Sequence, residues 1–356
     1  MVYIPFLLLK NSDDMKLIKR ALILLLITVA FSCTYKNSTT NSYPETFTIY
    51  PQKTEGDVLF VDSMASYVRI SNNHLISEII DVGIIDSLCY ILDTNGVISV
   101  VDIFNGSITE QRNRKGRGVG EMITPKCLTT DSAYIYIFDH GTNEIMKYDK
   151  NIQYVAKLKL DISPSSIIKI NEGFLCYEDI FPTVYFIDNE GKVQFSRVFS
   201  NREVNITTRQ QIFKVGMKKD IYFKAEYSDT IYLWNGNSLM PQYVMDYDKT
   251  DIENKSTILE MWQNGIPFSY SYFFTEKGLL LAFMHNKKLD YSFYNSGLGK
   301  CFAYKPSAKG KLPLVPKWQF GNIILGMVEQ NVFENFLDMN ENVNKSCQLV
   351  LLKYSL

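Results

Sequence analysis

The sequence predicts an all-β fold, a six-bladed β-propeller, on the basis of three observations. A strand–turn–strand pattern recurs six times at a spacing of about 40 to 50 residues, which is the length of a four-stranded blade. Glycine and asparagine occur where hairpin turns are required. Aromatic residues make up 13% of the 356 residues, with 23 Tyr and 22 Phe, a composition typical of pleated, half-buried strands.

Each repeat joins a short apolar strand, a polar or glycine turn, and a second strand that carries an aromatic residue. The clearest example runs from Tyr134 to Asp149. The repeats start at Leu88, Tyr134, Phe174, Ile221, Leu279 and Ile323. These starts are 46, 40, 47, 58 and 44 residues apart. Length alone would allow two domains, but a large all-β unit can form one.

Turn chemistry supports the strand assignment. Asn95-Gly96 lies between two apolar runs and is a strong hairpin signal, because both positions of the commonest two-residue turn need positive φ. Little helix is expected, and only residues 252–262 show a helical apolar period. Residues 57–70 predict extra strands, one of which closes the ring by pairing with the last blade beside the final LVLLKYSL.

Charge gives no sign of a nucleic-acid or acidic-lipid partner. Lys plus Arg number 37 and Asp plus Glu number 38, so the formal net charge is −1. Such a balance exerts no long-range attraction on a polyanion.

The N-terminal region reads as an export signal. Lys16, Lys19 and Arg20 precede an apolar run, 21–31, that is too short to span a membrane but suits a signal peptide. The run ends at Ala30-Phe31-Ser32-Cys33, which resembles the lipobox of bacterial lipoproteins and implies cleavage before Cys33 and lipid on its sulfur. The alternative is a plain secretory signal with an incidental cysteine.

The domain boundaries follow from this interpretation. Residues 1–14 are interpreted as a mis-called start before Met15, residues 15–32 as the signal peptide, and 33–50 as the lipidated cysteine with a flexible tether. The propeller then occupies 51–356. A precursor peptide spanning residues 10–16 in mass spectra would refute the start at Met15. No acidic run follows Cys33, which favours an outer-membrane anchor facing the periplasm.

Two segments carry a family resemblance. The sequence KGRGVGEMITP resembles the G-x-G-x-G-E-(aromatic or Met)-x-x-P signature of six-bladed β-propeller lipoproteins, a poorly characterised bacterial family with NHL-like repeats. Residues 227–232 and 239–243 resemble its Y-x-D-T-I-Y and L-x-P-x-Y segments. The likeness covers about residue 54 to the end, with Met122 at the usual aromatic position and Ser346-Cys347 replacing Asn-Pro. The family implies no common reaction and no catalytic residue.

Metal and cysteine chemistry find little support in the spacing. The three histidines, His74, His140 and His285, form no short-spaced motif, and His140 is expected in an exposed hairpin turn. No C-x-x-C occurs among the six cysteines. Cys89 and Cys176 are expected to be buried in strands. One disulfide is possible in an oxidising periplasm, and the sequence does not give its pairing. No metal ligand, cofactor or catalytic residue is assigned.

The glycine loop has two interpretations. Gly116, Gly118 and Gly120, with basic neighbours, could present backbone N–H groups to an anion. The other interpretation is an interblade loop in which the glycines allow tight φ and ψ while Glu121 accepts from backbone N–H groups. We favour the loop, because no helix follows. Asp93-Thr-Asn-Gly is read as a hairpin rather than a calcium loop, because its glycine comes too early.

Clustered aromatics mark the candidate ligand surface. Trp262, Tyr270 and Tyr272 fall in the longest gap between repeats, where extra length in a propeller becomes a loop on one face. They could stack on a sugar or peptide, or they could complete the fourth and fifth blades.

The sequence therefore predicts a lipid-anchored binding or scaffold module for a glycan, peptide or protein partner. The alternative is a metal-dependent propeller hydrolase or lyase of the lactonase sort. Enzymatic activity stays undecided. No acidic or histidine position recurs at the starts of the blades, and this favours the binding module.

Overall fold

The computed structural model describes residues 44–49, 65–71, 75–199, 211–226, 228–247, 258–304, 314–337 and 347–354. These residues form 25 strands and two helices, and all of them belong to one compact unit, 44–356. The segments assigned from sequence to the start, the signal peptide and Cys33 lie outside them, as do His74 and Tyr227. Among the described residues, no helix has the length and apolarity needed to cross a membrane.

The strands form four four-stranded antiparallel sheets and one nine-stranded sheet that contains two further blades, so the predicted six-bladed propeller is confirmed. Blade 1 contains β3 (Ile79–Ile85), β4 (Leu88–Asp93), β5 (Val97–Asp102) and β6 (Ile108–Asn113). Blade 2 contains β7 (Pro125–Thr130), β8 (Tyr134–Asp139), β9 (Glu144–Asp149) and β10 (Tyr154–Lys159). Blade 3 contains β11 (Ser166–Ile170), β12 (Gly173–Glu178), β13 (Thr183–Asp188) and β14 (Val193–Val198).

The later blades are less regular. Blade 4 contains β15 (Phe213–Val215), β16 (Ile221–Phe223), β17 (Thr230–Trp234) and β18 (Leu239–Asp246). Helix α1 (Ile258–Gln263) precedes blade 5, which contains β19 (Phe268–Thr275), β20 (Gly278–His285), β21 (Lys288–Asn295) and β22 (Lys300–Tyr304). Blade 6 contains β23 (Trp318–Phe320), β24 (Ile323–Glu329), β25 (Cys347–Tyr354) and an N-terminal strand, β2 (Ala65–Ser71).

Strand β2 closes the ring, as the sequence predicted. It pairs antiparallel with β25, with Ala65 opposite Tyr354 and Val68 opposite Leu351. The two ends of the chain thus form one blade, and β25 gains a partner instead of an exposed edge.

A further strand, β1 (Glu45–Thr48), lies inside the range 33–50 that was assigned to a tether. It pairs parallel with β18, the outer strand of blade 4. Phe47 is 5% exposed and stacks on Tyr294, with ring centroids 4.3 Å apart, and Ile49 is buried beside it. Burial of two large apolar side chains draws this segment onto the propeller, so a tether extending to residue 50 is wrong for residues 45–49.

The sixth repeat departs from its prediction in its second half. Residues 330–337 form helix α2 (Gln330–Leu337) rather than a strand, and β25 serves as the third strand of blade 6. Phe333 is fully buried in this helix, and its ring lies 4.7 Å from that of Tyr67. The helical period predicted near 252–262 is confirmed where the structure describes it, in α1.

The hydrophobic core consists of six clusters, one at each interface between neighbouring blades. The last of them joins blade 6 to blade 1 through Trp318, Leu325, Cys89 and Ile91. Each fully buried large apolar side chain contributes about 1.5 to 3 kcal/mol. A complete circle of clusters means that each blade is held on both of its faces.

Carboxylates at the ends of second strands tie the incoming linkers to the first three blades. Asp93 accepts from the backbone N–H of Ser77 at 3.1 Å. Asp139 accepts from Thr124, and Glu178 accepts from Ser163, in the same way. In blade 1, Asp93 also caps the predicted hairpin turn, where Gly96 alone has positive φ, at 72°.

The first strands of blades 1 to 4 contact one another in turn and line the axis. Strand β15 pairs directly with β23, Val215 opposite Phe320, which joins blades 4 and 6 past the inner strand of blade 5. The amide of Gln319 fills the gap, because its Oε1 accepts from Phe274 N and its Nε2 donates to Phe274 O, both at 2.8 Å. The axis is therefore closed on the side of blade 5.

Candidate functional site

An open cavity of about 460 Å³ lies on the face where the inner strands begin, here called the entry face. Its lining comes from blades 1, 2, 3, 4 and 6, with blade 5 displaced by the β15–β23 pair. We call this cavity the channel mouth. The lining consists of Ile80, Asp81, Thr94, Lys115, Ile123, Thr124, Pro125, Lys126, Cys127, Ser165, Ser166, Asp179, Ile212, Glu226 and Trp318.

Asp81 joins three blades at the mouth. Its Oδ1 accepts from Val82 N at 2.9 Å and from Trp318 Nε1 at 3.1 Å, and its Oδ2 accepts from Leu128 N at 3.0 Å. Burial raises the pKa of this carboxyl to about 6, although the N–H bonds and the charge of Lys317 act in the opposite direction. The Asp81 side chain thus holds together the wall of the mouth where three blades meet. Because its pKa is about 6, its charge changes slightly below neutral pH.

Both signs of charge line the mouth. Lys115 and Lys126 supply two cations, while Asp81, Asp179 and Glu226 supply carboxylates from blades 1, 3 and 4. These groups come from interblade linkers, first strands and turns that are distant in sequence, and they become neighbours only in the folded chain. A ligand with its own mixed polar groups would be complementary to such a surface.

The glycine loop forms one rim of the mouth through Lys115. Gly118 N donates to Glu121 Oε2 at 2.7 Å, and Gly116 N donates to Met122 O at 2.9 Å. A Cβ on Gly116 would lie 1.9 Å from Glu121 Oε2, so close approach of the carboxylate requires glycine there. These N–H groups serve the chain's own acceptors, which agrees with the interblade-loop interpretation.

On the rim formed by blade 3, the turn between β12 and β13 exposes apolar side chains. Ile180 and Phe181 are 55% and 57% exposed, directly after the mouth residue Asp179. Exposed apolar groups beside a polar cavity are typical of binding surfaces.

The three aromatics predicted to bind a ligand lie at different depths. Trp262 is 41% exposed on α1, with Lys287 Nζ 5.6 Å from its ring centre. Tyr270 is half-buried in β19, and Tyr272, in the same strand, is 1% exposed within the core between blades 4 and 5. The structure therefore offers Trp262 and Tyr270 to a ligand more readily than Tyr272, and the assignment itself stays a prediction.

Tyr270 borders a second cavity of about 200 Å³ between blades 5 and 6. We call it the side pocket. Its lining is mostly apolar and comprises Tyr270, Ser271, Ala282, Leu289, Tyr291, Val315, Pro316, Lys317 and Met327. Sequence reasoning did not find it, because its walls come from segments of two blades and the linker that joins them.

Histidine and cysteine are dispersed in the described part of the chain. His140 lies in the exposed β8–β9 turn, as predicted, with Nδ1 2.8 Å from Ser163 Oγ, and His285 lies 3.7 Å from Asp290. Cys89 and Cys176 are fully buried, as predicted, and Cys89, Cys127, Cys176 and Cys301 are free thiols. The described residues contain no group of three His, Cys, Asp or Glu side chains arranged to hold a metal.

Comparison with known proteins agrees with this architecture. A family described as 6-bladed beta-propeller matches residues 69–311. No curated protein matches the chain in sequence. A Bacteroides fragilis protein described as exported is 16% identical, with a TM-score of 0.66 over 87% of this chain and 98% of its own.

Two further structures are more distant. A Bacteroides vulgatus protein is 10% identical, with a TM-score of 0.50 over 84% of this chain and 98% of its own. Virginiamycin B lyase of Staphylococcus aureus is 12% identical, with a TM-score of 0.45 over 82% of this chain and 99% of its own. The first two likenesses support the fold, and the third is too weak to bear on activity.

Proposed function

Because the chain belongs to the 6-bladed beta-propeller family, whose model matches residues 69–311, we propose that it is a binding module that holds a glycan, a peptide or a segment of a protein partner at the channel mouth. One observation carries this proposal, namely the open cavity of about 460 Å³ that five blades line with charged and polar groups. Cavities of this size, with a few convergent polar groups, are typical ligand sites.

Fixed geometry also favours binding at the mouth. Asp81 and Trp318 are joined by a hydrogen bond, and the backbone of Leu128 donates to the same carboxylate. A wall whose side chains are held by one another needs little ordering when a ligand arrives, and low ordering cost raises affinity.

We place the module at a bacterial membrane through lipid on Cys33, on the outer membrane and facing the periplasm. The support is the sequence from 15 to 33, in which a basic segment and a short apolar run end directly before a cysteine. A lipid anchor would hold the propeller at the bilayer surface without a spanning helix.

Two arms of one experiment test the proposal. In the first, glycan and peptide arrays are probed with the wild-type chain and with Thr124→Trp, which places a large ring in the mouth. We expect binding to fall at least tenfold. Ser132→Trp, on an exposed turn of the opposite face, is the matched control and should bind like the wild type. Ligands that bind both variants equally, or no ligand at all, would refute the mouth as the site.

In the second arm, cells that express the wild-type chain or Cys33→Ser are labelled with a fatty acid and fractionated. The wild-type chain should carry label in the membrane fraction, and Cys33→Ser should lose both the label and the membrane. Membrane association of Cys33→Ser would contradict the anchor.

No observation in the described residues favours the hydrolase or lyase alternative over binding. Both oxygens of Asp81, the acid that joins three blades at the mouth, already accept hydrogen bonds from the protein. Metal analysis of the purified chain, with melting curves in EDTA and in calcium, would reopen that alternative if a stoichiometric metal were found.

A further inference from the structure

We infer that the ligand is an extended peptide that spans two cavities, with an apolar side chain in the side pocket and polar groups in the channel mouth. This inference rests on the proposed function and names its ligand class. It follows from the size of the side pocket, from the wall between the cavities, and from the contrast in their chemistry.

The side pocket has the size of a single side chain. Its volume of about 200 Å³ is below the range of roughly 300 to 1,000 Å³ found for whole small-molecule ligands. The walls include Leu289, Val315, Met327 and the ring of Tyr270. Such a pocket suits one aliphatic or aromatic group, whose full burial contributes about 1.5 to 3 kcal/mol.

Apolar groups also surround the opening of the side pocket. Leu289 is 37% exposed at the start of β21, and the turn before it brings Lys287 over the exposed ring of Trp262. Both β21 and the α1–β19 connection begin on the entry face, the face that carries the channel mouth. A chain lying on this face can therefore reach both cavities.

A thin, fixed wall separates the cavities. Lys317 lines the side pocket and Trp318 lines the mouth, and these neighbours in sequence have Cα atoms about 3.8 Å apart. Val315 N donates to Tyr354 OH at 3.0 Å, and Tyr291 OH donates to Leu314 O at 3.1 Å, so hydrogen bonds hold the segment that leads to the wall. Two residues of an extended peptide span about 6.4 to 6.8 Å, enough to cross such a wall.

The contrast in chemistry favours a peptide over a glycan. A sugar carries hydroxyls around every ring, but the hydroxyl of Tyr291 in the side pocket is already bonded within the protein. The mouth, in contrast, offers the cations Lys115 and Lys126 together with carboxylates. A chain that carries an apolar side chain beside polar groups matches both cavities, and a peptide has this pattern.

The test uses a displayed library of random heptapeptides and the full chain as bait. We expect selected sequences to fix a Leu, Ile, Phe or Met at one position, with charged or amide residues within two or three positions. The affinity of a synthetic consensus peptide is then measured for the wild type, for Ala282→Leu, which fills the side pocket, and for Leu289→Lys, which places charge at its exposed rim. Both variants should weaken binding at least tenfold, and Lys277→Glu on the opposite face should not.

A second peptide, with alanine at the fixed apolar position, shows whether a variant has lost binding only because it is misfolded. It should bind the wild type as weakly as it binds Ala282→Leu, since the pocket is then unused in both. Peptide binding that Thr124→Trp abolishes but Ala282→Leu and Leu289→Lys leave within twofold would overturn the two-cavity inference and leave the mouth as the site. A library without enriched sequences, or one in which the selected peptides lack a fixed apolar position, would overturn the inference as well.

Discussion

Lys214 is a fully buried lysine whose ammonium group has no hydrogen-bond partner among the described residues. Burial lowers its pKa well below the ordinary value, and the nearby charge of Lys224 lowers it further. Its Nζ lies 4.0 Å from the ring centre of Phe273, a contact that favours the charged form by about 2 kcal/mol when desolvated. The cost of burying an ion is several kcal/mol, which exceeds what this contact returns, so the net effect is a lowered pKa.

We predict that Lys214→Met raises the free energy of unfolding at pH 6 by at least about 1 to 3 kcal/mol, because an unbonded buried polar group costs that much and the lowered pKa of the lysine adds to it. Lys214 binds fewer protons in the folded chain than in the unfolded chain. The free energy of unfolding of the wild type therefore rises with pH, up to the pKa that Lys214 has in the unfolded chain. The advantage of the variant should therefore shrink at pH 9. Urea unfolding at both pH values measures it, with Lys277→Met as an exposed control. A variant less stable than the wild type at pH 6 would contradict this account.

Residues of the candidate site could be predicted only in part. Tyr270 was found through its aromatic cluster, but Asp81 and Trp318 carry no local motif, because they meet only when blades 1 and 6 become neighbours. A signal was present in the repeats, since Asp93 and Asp139 occupy the same place at the ends of second strands. Their bonds to incoming linkers show that this repeated acidic position is structural.

At the scale of elements, Gln319 determines how three inner strands meet. Its side chain pairs with both backbone groups of Phe274 in blade 5, while its own backbone exchanges hydrogen bonds with the Gln211 amide beside blade 4. The amide thus replaces a strand neighbour where β15 and β23 meet directly. A charged or apolar side chain could not satisfy both a donor and an acceptor.

Gln319→Glu keeps the shape of this side chain and removes both of its donors, to Phe274 O and to Gly321 O. Each buried acceptor left unpaired costs about 1 to 3 kcal/mol, so we expect a loss of at least about 2 kcal/mol. Thermal and urea unfolding measure the loss. The exposed amide of Gln153 is the control, and Gln153→Glu should change stability by less than about 0.5 kcal/mol. Equal stability of the two variants would show that the pairing at Phe274 is dispensable.

Elements with strong local signals were predicted, and those decided by distant packing were not. Asn95-Gly96 marked its hairpin correctly. The sequence of β1 is too short and polar to read as a strand, and it pairs only because Phe47 enters the core. In α2, Val332 and Phe333 are compatible with strand or helix over so short a run, and burial of Phe333 against Tyr67 selects the helix.

At the scale of the whole molecule, strand β2 determines whether the ring is closed. Strands β24 and β25 leave the outer edge of blade 6 unpaired unless β2 covers it. Tyr67 and Val68 of β2 stand opposite Leu352 and Leu351, both of which are buried. The six repeats predicted six blades, and the extra N-terminal segment predicted the closure, because a repeat count and an unpaired strand are both visible in sequence.

We predict that a chain starting at residue 75, without β1 and β2, is aggregation-prone and melts at least about 10 °C lower, because an apolar strand edge is exposed. A chain starting at residue 44 keeps both strands and should melt like the full chain. Light scattering and melting curves of the two truncations give the comparison. Equal melting of the two would mean that blade 6 is stable with three strands.

Closure by β2 also sets the order in which the molecule can be completed. Ala65 and its partner Tyr354 are 289 residues apart in the sequence (354 − 65). At about 5 to 20 residues per second, roughly 15 to 60 s separate the synthesis of the two strands. Throughout that interval β2 lacks its partner, so the ring cannot close before β25 has been made. Ring closure is therefore a late folding step that waits for β25, however early the other blades form.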